Sequence, residues 1–335
     1  MNKNNFSAAI IVKNEEKNIE KCIKSVLPFC SQVVVVDTGS TDRTPILASK
    51  LGAEIYFHKW NNSFSESRNI ALNYARNKWI ISIDADETLD FSSFNNFLKD
   101  EFPYLNQKIG GISINLKNYL DDKLETFSLH RFTRIFINHK NIKFQRNVHE
   151  QITSSIEENN FEIYTSNILF HHFGYIEKSA EKIQRNKMLL EENISKGVDV
   201  DYDLYHLAST EFAANNIQVA EKLFEKLLNS NQLSKEQIAM VRVKLGQIFL
   251  QKSEYDKVNT ILDFSYDDIN LEGLRQSVLA SAKLMQKDFH AAQMLYDKFE
   301  INNSSMVDSA IIKQAKEVLK KINYELQTNS SQNSY

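Results

Sequence analysis

Strands and helices alternate along the first eighty residues of the chain, and this pattern constrains the fold more than any other feature. Buried strands are predicted at "SAAIIV", "QVVVVDTGS", "AEIYFHKW" and "WIISI", with helical spacing of apolar residues between them. Alternation at this spacing predicts βαβ units, a mostly parallel sheet and an α/β fold class. Ligands of such sheets bind beyond the carboxyl ends of the strands.

The helices between these strands have recognisable starts. Thr41 or Asp42 is expected to cap the second helix, with Ile46 and Leu47 on its inner side. Ser65 is expected to open the third helix, which places Arg68 in its first turn.

Helical periodicity dominates from about residue 175 onward. A pattern with a period close to 34 recurs three times there, and it resembles the tetratricopeptide repeat. Any antiparallel helical bundle needs similar apolar positions, so the pattern is also compatible with a plain bundle. We predict an α/β domain at 1–178, an all-α helical-repeat domain at 179–325 and a disordered tail at 326–335. The repeated positions are Leu207, Ala220 and Phe224; Leu245, Val258 and Leu262; and Leu279, Ala292 and Tyr296.

Composition excludes several classes of protein. A chain of 335 residues favours two domains, and a formal net charge of −3 argues against general nucleic-acid binding. The two cysteines, Cys22 and Cys30, fit a reducing compartment better than a disulfide scaffold. Apolar runs fall short of the roughly 18–20 residues of a membrane helix. We therefore expect a cytoplasmic protein without an integral membrane segment, whose oligomeric state, a homo-oligomer included, stays open.

An acidic cluster follows the fourth predicted strand. Asp84, Asp86 and Glu87 lie within four residues, where their charges repel unless they are solvated or share a cation. A solvated acidic turn is one interpretation, and a divalent metal site is the other. Asp37 ends a neighbouring strand, so we expect it to converge with the cluster.

Four motifs together resemble the inverting family 2 glycosyltransferases of the GT-A fold, which use nucleotide-sugars. The motifs are "IIVKNEE", "VVVVDTGSTDRT", "SFSESRNIAL" and "ISIDADE", in this order, and the resemblance covers roughly Ser7 to Tyr175. It implies a Rossmann-like GT-A domain with a nucleotide-sugar donor, and it favours the metal site over the solvated turn.

The resemblance also implies donor-binding residues. Val12, Asn14 and Glu15 would lie beside the ribose and base of the nucleotide. Asp37 would accept a hydrogen bond from a uracil imide, although it could also only shape a turn. Arg68 would reach the diphosphate with its forked donors, or it would form a salt bridge with Glu66 or an aspartate of the cluster.

Metal ligation is the second implication. Asp84-Ala85-Asp86 matches the family's DxD pattern, in which two hard oxygen ligands hold Mn²⁺ or Mg²⁺ against the diphosphate. Ala85 is counted with the donor-binding residues, and Glu87 is expected to support the loop. His172 is a candidate third ligand; the alternative is a buried structural pair of His171 and His172.

A base is the third implication. "HRFTRIFIN" and "FQRNVHEQI" are expected to form paired strands that end at Glu150. Inverting transfer needs a base opposite the leaving diphosphate, and Glu150 is the candidate. Arg131 and Arg134 are expected to line the diphosphate or acceptor side.

These expectations define a metal-dependent transferase that moves a sugar from a UDP-sugar, glucose or N-acetylglucosamine, to an acceptor. A Cys or Ser of a peptide is favoured as acceptor, because a helical repeat offers a concave surface for a polypeptide. The alternatives are a transferase acting on lipopolysaccharide or cell-wall glycan, and a non-catalytic nucleotide-binding scaffold.

Overall fold

A mixed eight-stranded sheet forms the framework of the amino-terminal unit. The structure is a computed structural model, and it describes residues 5–119, 121–174, 180–197 and 199–332. The chain divides into two units, Met1–Lys182 and Ile183–Tyr335. The domain boundary expected between 178 and 179 lies outside the described residues. In chain order the strands are β1 Phe6–Val12, β2 Gln32–Asp37, β3 Glu54–Phe57, β4 Trp79–Ser82, β5 Glu87–Leu89, β6 Ile109–Tyr119, β7 Phe127–Ile137 and β8 Glu162–His172.

The first four strands form the parallel half of the sheet, in the order β3-β2-β1-β4. β1 pairs in parallel with β2 and β4, and β2 pairs in parallel with β3. Every residue of β2 is buried, as a strand covered on both faces requires, and its run of valines suits that environment. The predicted α/β class is therefore confirmed.

The remaining strands extend the sheet in the order β7-β6-β8-β5. β7 runs antiparallel to both β4 and β6, so its first residues project beyond the carboxyl end of β4. The pairing of β6 with β7 shifts register between Ile112 and Ser113, which pair with Ile135 and Thr133. Arg134 is the extra residue of this β-bulge. A bulge of this kind changes the direction in which a side chain points.

The expected pairing of "HRFTRIFIN" with "FQRNVHEQI" is wrong. The first segment belongs to β7, whose partners are β4 and β6. The second is mostly a loop, closed by an isolated antiparallel bridge between Gln145 and Gln151. Within it, Arg146 and His149 have left-handed φ values of 72° and 52°, which a regular strand does not allow.

Helices cover the sheet, and two of the expected starts are displaced. Asp42 accepts a hydrogen bond from the Thr44 N–H, but the cap position is Arg43, and Ile46 is 54% exposed rather than inward. The third helix is capped by Ser63, two residues before Ser65. Arg68 consequently lies in its second turn. The helices of this unit are α1 Ile19–Val26, α2 Thr44–Lys50, α3 Phe64–Tyr74, α4 Phe91–Asp100 and α5 Thr153–Glu158.

The second unit is entirely helical among its described residues. Its helices are α6 Ala180–Lys196, α7 Val200–Ala213, α8 Ile217–Leu227, α9 Lys235–Gln251, α10 Tyr255–Ile261, α11 Ile269–Met285, α12 Phe289–Tyr296, α13 Phe299–Asn303 and α14 Ser309–Gln332. None of the helices that the structure describes is long and apolar enough to cross a membrane.

Three successive helix pairs, α7–α8, α9–α10 and α11–α12, carry the repeated positions of the sequence. Eight of the nine positions are buried, and Leu279 packs half-buried against the same core. The predicted helical repeat is confirmed. A disordered tail was expected from residue 326, but helix α14 continues to Gln332. Residues 309–332 contain no proline or glycine that would end the helix earlier. Residues 333–335 lie outside the described residues.

A buried ion pair joins α11 to the segment that precedes it. Glu272 accepts hydrogen bonds from Arg275 Nε at 2.8 Å and from the Tyr266 N–H at 3.0 Å, and Arg275 Nη1 donates to the Leu262 carbonyl at 2.7 Å. Burial alone would raise the pKa of Glu272, but hydrogen bonds from Arg275 and Gln276 outweigh it and lower the pKa.

Glu272→Gln should lower the free energy of unfolding by about 1–3 kcal/mol at pH 7, as expected for lost hydrogen bonds to a charged group. A carboxylate whose pKa is lowered by folding stabilises the fold above its unfolded pKa, and this contribution is lost as the pH falls through the folded value. The difference from the parent should therefore shrink below about pH 4. Urea denaturation at both pH values measures it. Glu192→Gln, in the exposed pair with Lys196, is the control and should change stability by less than about 0.5 kcal/mol.

Candidate active site

Charged side chains from five parts of the chain meet at the carboxyl edge of the parallel strands. Asp84 and Asp86 follow β4, Glu87 opens β5, and His172 ends β8. Arg134 comes from the bulge in β7, Arg68 from α3 and Glu150 from the loop after β7. The structure thus brings together half of the twelve residues that the sequence predicts for the site: Arg68, Asp84, Asp86, Arg134, Glu150 and His172.

Arg68 is buried at the centre of this cluster and bonds to three side chains. Its Nε donates to Glu150 Oε1 at 2.6 Å, its Nη2 to Asp84 Oδ1 at 2.6 Å, and its Nη1 to Ser82 Oγ at 3.2 Å. The ring of Phe144 covers the guanidinium at 5.4 Å. Burial alone would lower the pKa of Arg68, but the carboxylates of Asp84 and Glu150 outweigh it and raise the pKa. Of the two roles predicted for Arg68, these contacts match the salt bridge with an aspartate of the cluster, and the arginine is buried rather than on the surface.

Asp84 is held by two arginines. Its Oδ1 accepts from Arg68, and its Oδ2 accepts from Arg134 Nη2 at 3.1 Å. Burial would raise the pKa of Asp84, but the two guanidinium groups outweigh it and hold the pKa well below its ordinary value. Asp84 is therefore ionised, and both its oxygens are already bonded. It differs in this respect from the freely available metal ligand that the DxD pattern predicts.

Glu87 lies beneath Asp84 and is 1% exposed. It accepts from the Asp84 N–H at 3.1 Å and from Arg134 Nη2 at 3.0 Å. Burial and the nearby charges of Asp84 and Asp86 raise the pKa of Glu87 to about 7, against the opposing effect of Arg134. Glu87 supports the loop from inside, as its position in the sequence indicates.

Asp86 and His172 form a second pair beside this cluster. Asp86 Oδ2 lies 3.5 Å from His172 Nε2, and the opposite ring nitrogen of His172 bonds to Asn118 Oδ1 at 2.7 Å. Burial would lower the pKa of His172, but Asp86, Glu87 and Asp84 outweigh it and raise the pKa. An amide oxygen behind an imidazole fixes the ring so that its other nitrogen faces a metal.

The ligand atoms of Asp86 and His172 suit a divalent cation. A carboxylate oxygen and an imidazole nitrogen, side by side at the strand edge, are ligands that Mn²⁺ accepts. No group of three or more His, Cys, Asp or Glu residues within the described ranges has metal-site geometry. A cation held here would take its remaining ligands from water or from a bound phosphate.

The predicted nucleotide-binding residues lie at the ends of β1 and β2. Asp37 is 1% exposed; its Oδ1 accepts from the N–H groups of Gly39 and Ser40, while its Oδ2 has no hydrogen-bond partner among the described residues. Asp37 therefore shapes the turn with one oxygen and keeps the other as an acceptor.

The segment that follows β1 is bonded to that turn. Val12 accepts the Thr38 N–H, and Asn14, at a φ of 55°, accepts the Thr41 N–H. The Glu15 N–H donates to Thr44 Oγ1 at 2.8 Å. These bonds give the expected nucleotide-binding edge a fixed backbone.

Arg131 and Ala85 belong neither to the cluster nor to this edge. Arg131 Nη1 donates to the Ser166 carbonyl at 2.9 Å rather than to an acidic residue of the cluster. Ala85 is buried beneath the loop between its two aspartates, so it contributes packing.

Three further residues complete the site without having been predicted. Ser82 bonds to Arg68, and Asn118 bonds to His172. Gly174 lies directly against Asp86 and His172. Ser82 could have been found as a polar residue in the apolar strand "WIISI". Asn118 and Gly174 carry no local signal, because their roles depend on pairing between distant strands.

Comparison with known proteins adds the family. Residues 7–154 match the family described as Glycosyl transferase family 2. The first unit is a family 2 glycosyltransferase domain. The resemblance carried by the four sequence motifs is confirmed.

Curated relatives include two that match beyond a short segment. The SPbeta prophage-derived glycosyltransferase SunS of Bacillus subtilis is 27% identical over 268 residues, which cover 77% of this chain and 62% of that protein. A TPR repeat-containing protein of Synechococcus elongatus is 31% identical over 175 residues, which cover 50% of this chain and 42% of that protein. The chain thus spans less than two thirds of the length of either relative.

Among solved structures, TarS 1-349 of S. aureus is similar to this chain. The match has a TM-score of 0.40 and 15% identity, and it covers 87% of this chain and 89% of that chain.

Arg68→Met should lower the free energy of unfolding by about 3–5 kcal/mol, because it removes the buried guanidinium that pairs with both Asp84 and Glu150 and leaves Glu150 without this partner, while Asp84 keeps Arg134. Chemical denaturation measures the change, and Arg131→Met, which loses one bond to a carbonyl, is the control with a loss below about 1.5 kcal/mol. If Arg68→Met kept its denaturation midpoint and lost only affinity for UDP, Arg68 would be a diphosphate ligand rather than the centre of the cluster.

Proposed function

We propose that this protein is an inverting glycosyltransferase that moves a sugar from a UDP-sugar to an acceptor nucleophile with the help of Mn²⁺ or Mg²⁺. The observation that carries the proposal is the buried bridge from Glu150 through Arg68 to Asp84 at the edge of a family 2 glycosyltransferase domain. The bridge fixes a candidate base beside the acidic loop at which the family binds its donor.

Asp37 supports a uridine nucleotide as donor. Its buried Oδ2 is an acceptor that the described residues leave without a hydrogen bond, and the uracil imide supplies a donor of matching polarity. An unmet buried acceptor costs free energy, so a ligand that satisfies it gains affinity. We retain glucose and N-acetylglucosamine as the two candidate sugars.

The pairing within the cluster supports a divalent cation at Asp86. The two guanidinium groups bond to Asp84, Glu87 and Glu150, which leaves Asp86 facing His172 alone among the charged groups of the cluster. A diphosphate would bring further negative charge to this edge. Asp86 and His172 would hold the cation, which supplies charge neutralisation to the departing diphosphate. Asp84 then acts mainly by holding Arg68 and Arg134.

Glu150 is the residue to which we assign the proton of the acceptor. Arg68 donates to its Oε1, which fixes the carboxyl group in place and leaves Oε2 to take the proton. As the acceptor oxygen or sulfur loses its proton to Glu150, it forms a bond to the anomeric carbon. The bond from that carbon to the phosphate oxygen breaks, and its electron pair stays on the diphosphate.

The helical unit supports a polypeptide as acceptor, because helix pairs stacked in series present an extended surface suited to peptides. We assign donor chemistry to residues 1–178 and acceptor selection to the repeats at 179–325. A glycan acceptor and a non-catalytic scaffold are the competing functions, and the tests below separate them.

Glu150→Gln should reduce turnover by about 10²–10⁴-fold, because the amide keeps the shape of the side chain but takes no proton. UDP release in the presence of Mn²⁺ measures turnover, and calorimetry measures UDP affinity, which should stay within about threefold of the parent. Glu157→Gln, on the exposed face of α5, is the matched control and should behave as the parent. A folded Glu150→Gln protein with parental turnover on a hydroxyl acceptor would remove Glu150 from the mechanism.

The full chain, incubated with Mn²⁺ and a panel of UDP-sugars, should release UDP and add one hexose or N-acetylhexosamine to a peptide that contains Cys or Ser. Mass spectrometry of the peptides and of parallel glycan acceptors identifies the product. Addition only to glycans would replace the peptide proposal with the glycan alternative. UDP binding without release, with any sugar or acceptor of the panel, would support the scaffold.

A further inference from the structure

Gly174 is the glycine whose position the fold does not explain. Gly39, Gly52 and Gly197 occupy left-handed backbone conformations that favour glycine, and their surroundings are open. Gly174 has no such φ, so its backbone could carry any residue. The reason for a glycine there must be the space around it.

A side chain at 174 would meet the Asp86–His172 pair. An ideal Cβ there would lie 2.7 Å from His172 Nε2 and closer still to Asp86 Oδ2, both nearer than real Cβ atoms approach other atoms. Around the other crowded glycines the nearest atoms are carbons or backbone, as at Gly110, Gly111, Gly246 and Gly273. Gly174 therefore differs from all of them in facing two ligand-type atoms.

The chain is held against this pair by regular bonds. The Phe173 N–H donates to the Asp86 carbonyl at 3.0 Å, and His172 pairs in register with Glu87. The ring of Phe173 stacks on Tyr119 at 5.4 Å. These contacts hold the backbone up to Phe173, and the atoms that a methyl group at 174 would meet are the ends of the Asp86 and His172 side chains, so we expect these two side chains to be displaced.

We propose that Gly174 is a positioning residue for the cation: it keeps clear the space beside Asp86 Oδ2 and His172 Nε2 where the ion and its remaining ligands lie. This inference rests on the cation of the proposed function. Mg²⁺ and Mn²⁺ require several ligands in a regular arrangement, and two protein side chains leave most positions to water or phosphate oxygens. A Cβ at 174 removes part of that volume and turns the two protein ligands away from each other.

The test is Mn²⁺ binding to the full chain, without any donor, measured by electron paramagnetic resonance. Gly174→Ala should bind Mn²⁺ about 10–100-fold more weakly than the parent, the range found when residues that orient metal ligands are lost. Its melting temperature should stay close to that of the parent, because the displaced groups are ends of side chains at a strand edge.

Gly111→Ala is the matched control. A Cβ at 111 would meet only carbons, of Ile156, Ile163 and Thr133, at 3.1–3.2 Å. This variant should melt lower than the parent and bind Mn²⁺ equally well. Asp86→Asn is the positive control and should lose Mn²⁺ binding.

The outcomes separate this inference from the proposed function. Parental Mn²⁺ affinity in Gly174→Ala, with binding lost in Asp86→Asn, would overturn the role of Gly174 alone. A parent that binds no Mn²⁺ would overturn both the role of Gly174 and the metal dependence. If Gly174→Ala loses Mn²⁺ binding but the parent itself transfers no sugar, the role of Gly174 is supported and the proposed transferase function is contradicted.

Discussion

The site of the first unit depends on one buried guanidinium group. Arg68 touches Ser82, Asp84 and Glu150, so a single side chain on α3 ties the fourth strand to the loop that follows β7. A buried arginine is stable only when its charge is compensated, and here two carboxylates compensate it. Arg68 consequently fixes the position of the acidic loop and the position of Glu150 at the same time. Neither carboxylate can be moved or neutralised without affecting the other through Arg68.

The antiparallel half of the sheet supplies the rest of the arrangement. β7 runs past the end of β4, and its bulge turns Arg134 towards Asp84 and Glu87. β8 returns at the other side and delivers His172 to the same edge. Long strands that extend beyond the parallel half thus lie beside the carboxyl edge of β1 to β4, which explains why charged residues of such distant segments meet there.

Part of this site could be predicted from the sequence, and the limit has a physical reason. Asp37, Asp84, Asp86 and His172 end strands or follow them closely, and strand ends in a parallel sheet converge whatever the details of the fold. Arg134 could not be predicted in its actual role, because a bulge depends on the register of two strands. The salt bridge of Arg68 with an aspartate of the cluster was one of its two predicted roles, but its bond to Glu150 was not predicted, because Glu150 lies 82 residues away. The strand predicted around Glu150 was wrong for a related reason. Whether a segment pairs as a strand depends on its neighbours in the fold, and here residues 145 and 151 bridge each other and close a loop.

The loop that carries Glu150 is attached to the rest of the first unit by several contacts. The bridge between Gln145 and Gln151 closes its base, and Arg68 bonds to Glu150 next to that bridge. The backbone between these attachments bends at Arg146 and His149 rather than pairing with the sheet. The same loop is also held through its backbone and core, because the Phe64 N–H donates to the Asn147 carbonyl at 2.8 Å and Val148 is 2% exposed. Phe64 and Arg68 both belong to α3, so a displacement of that helix would move the loop and its carboxylate together.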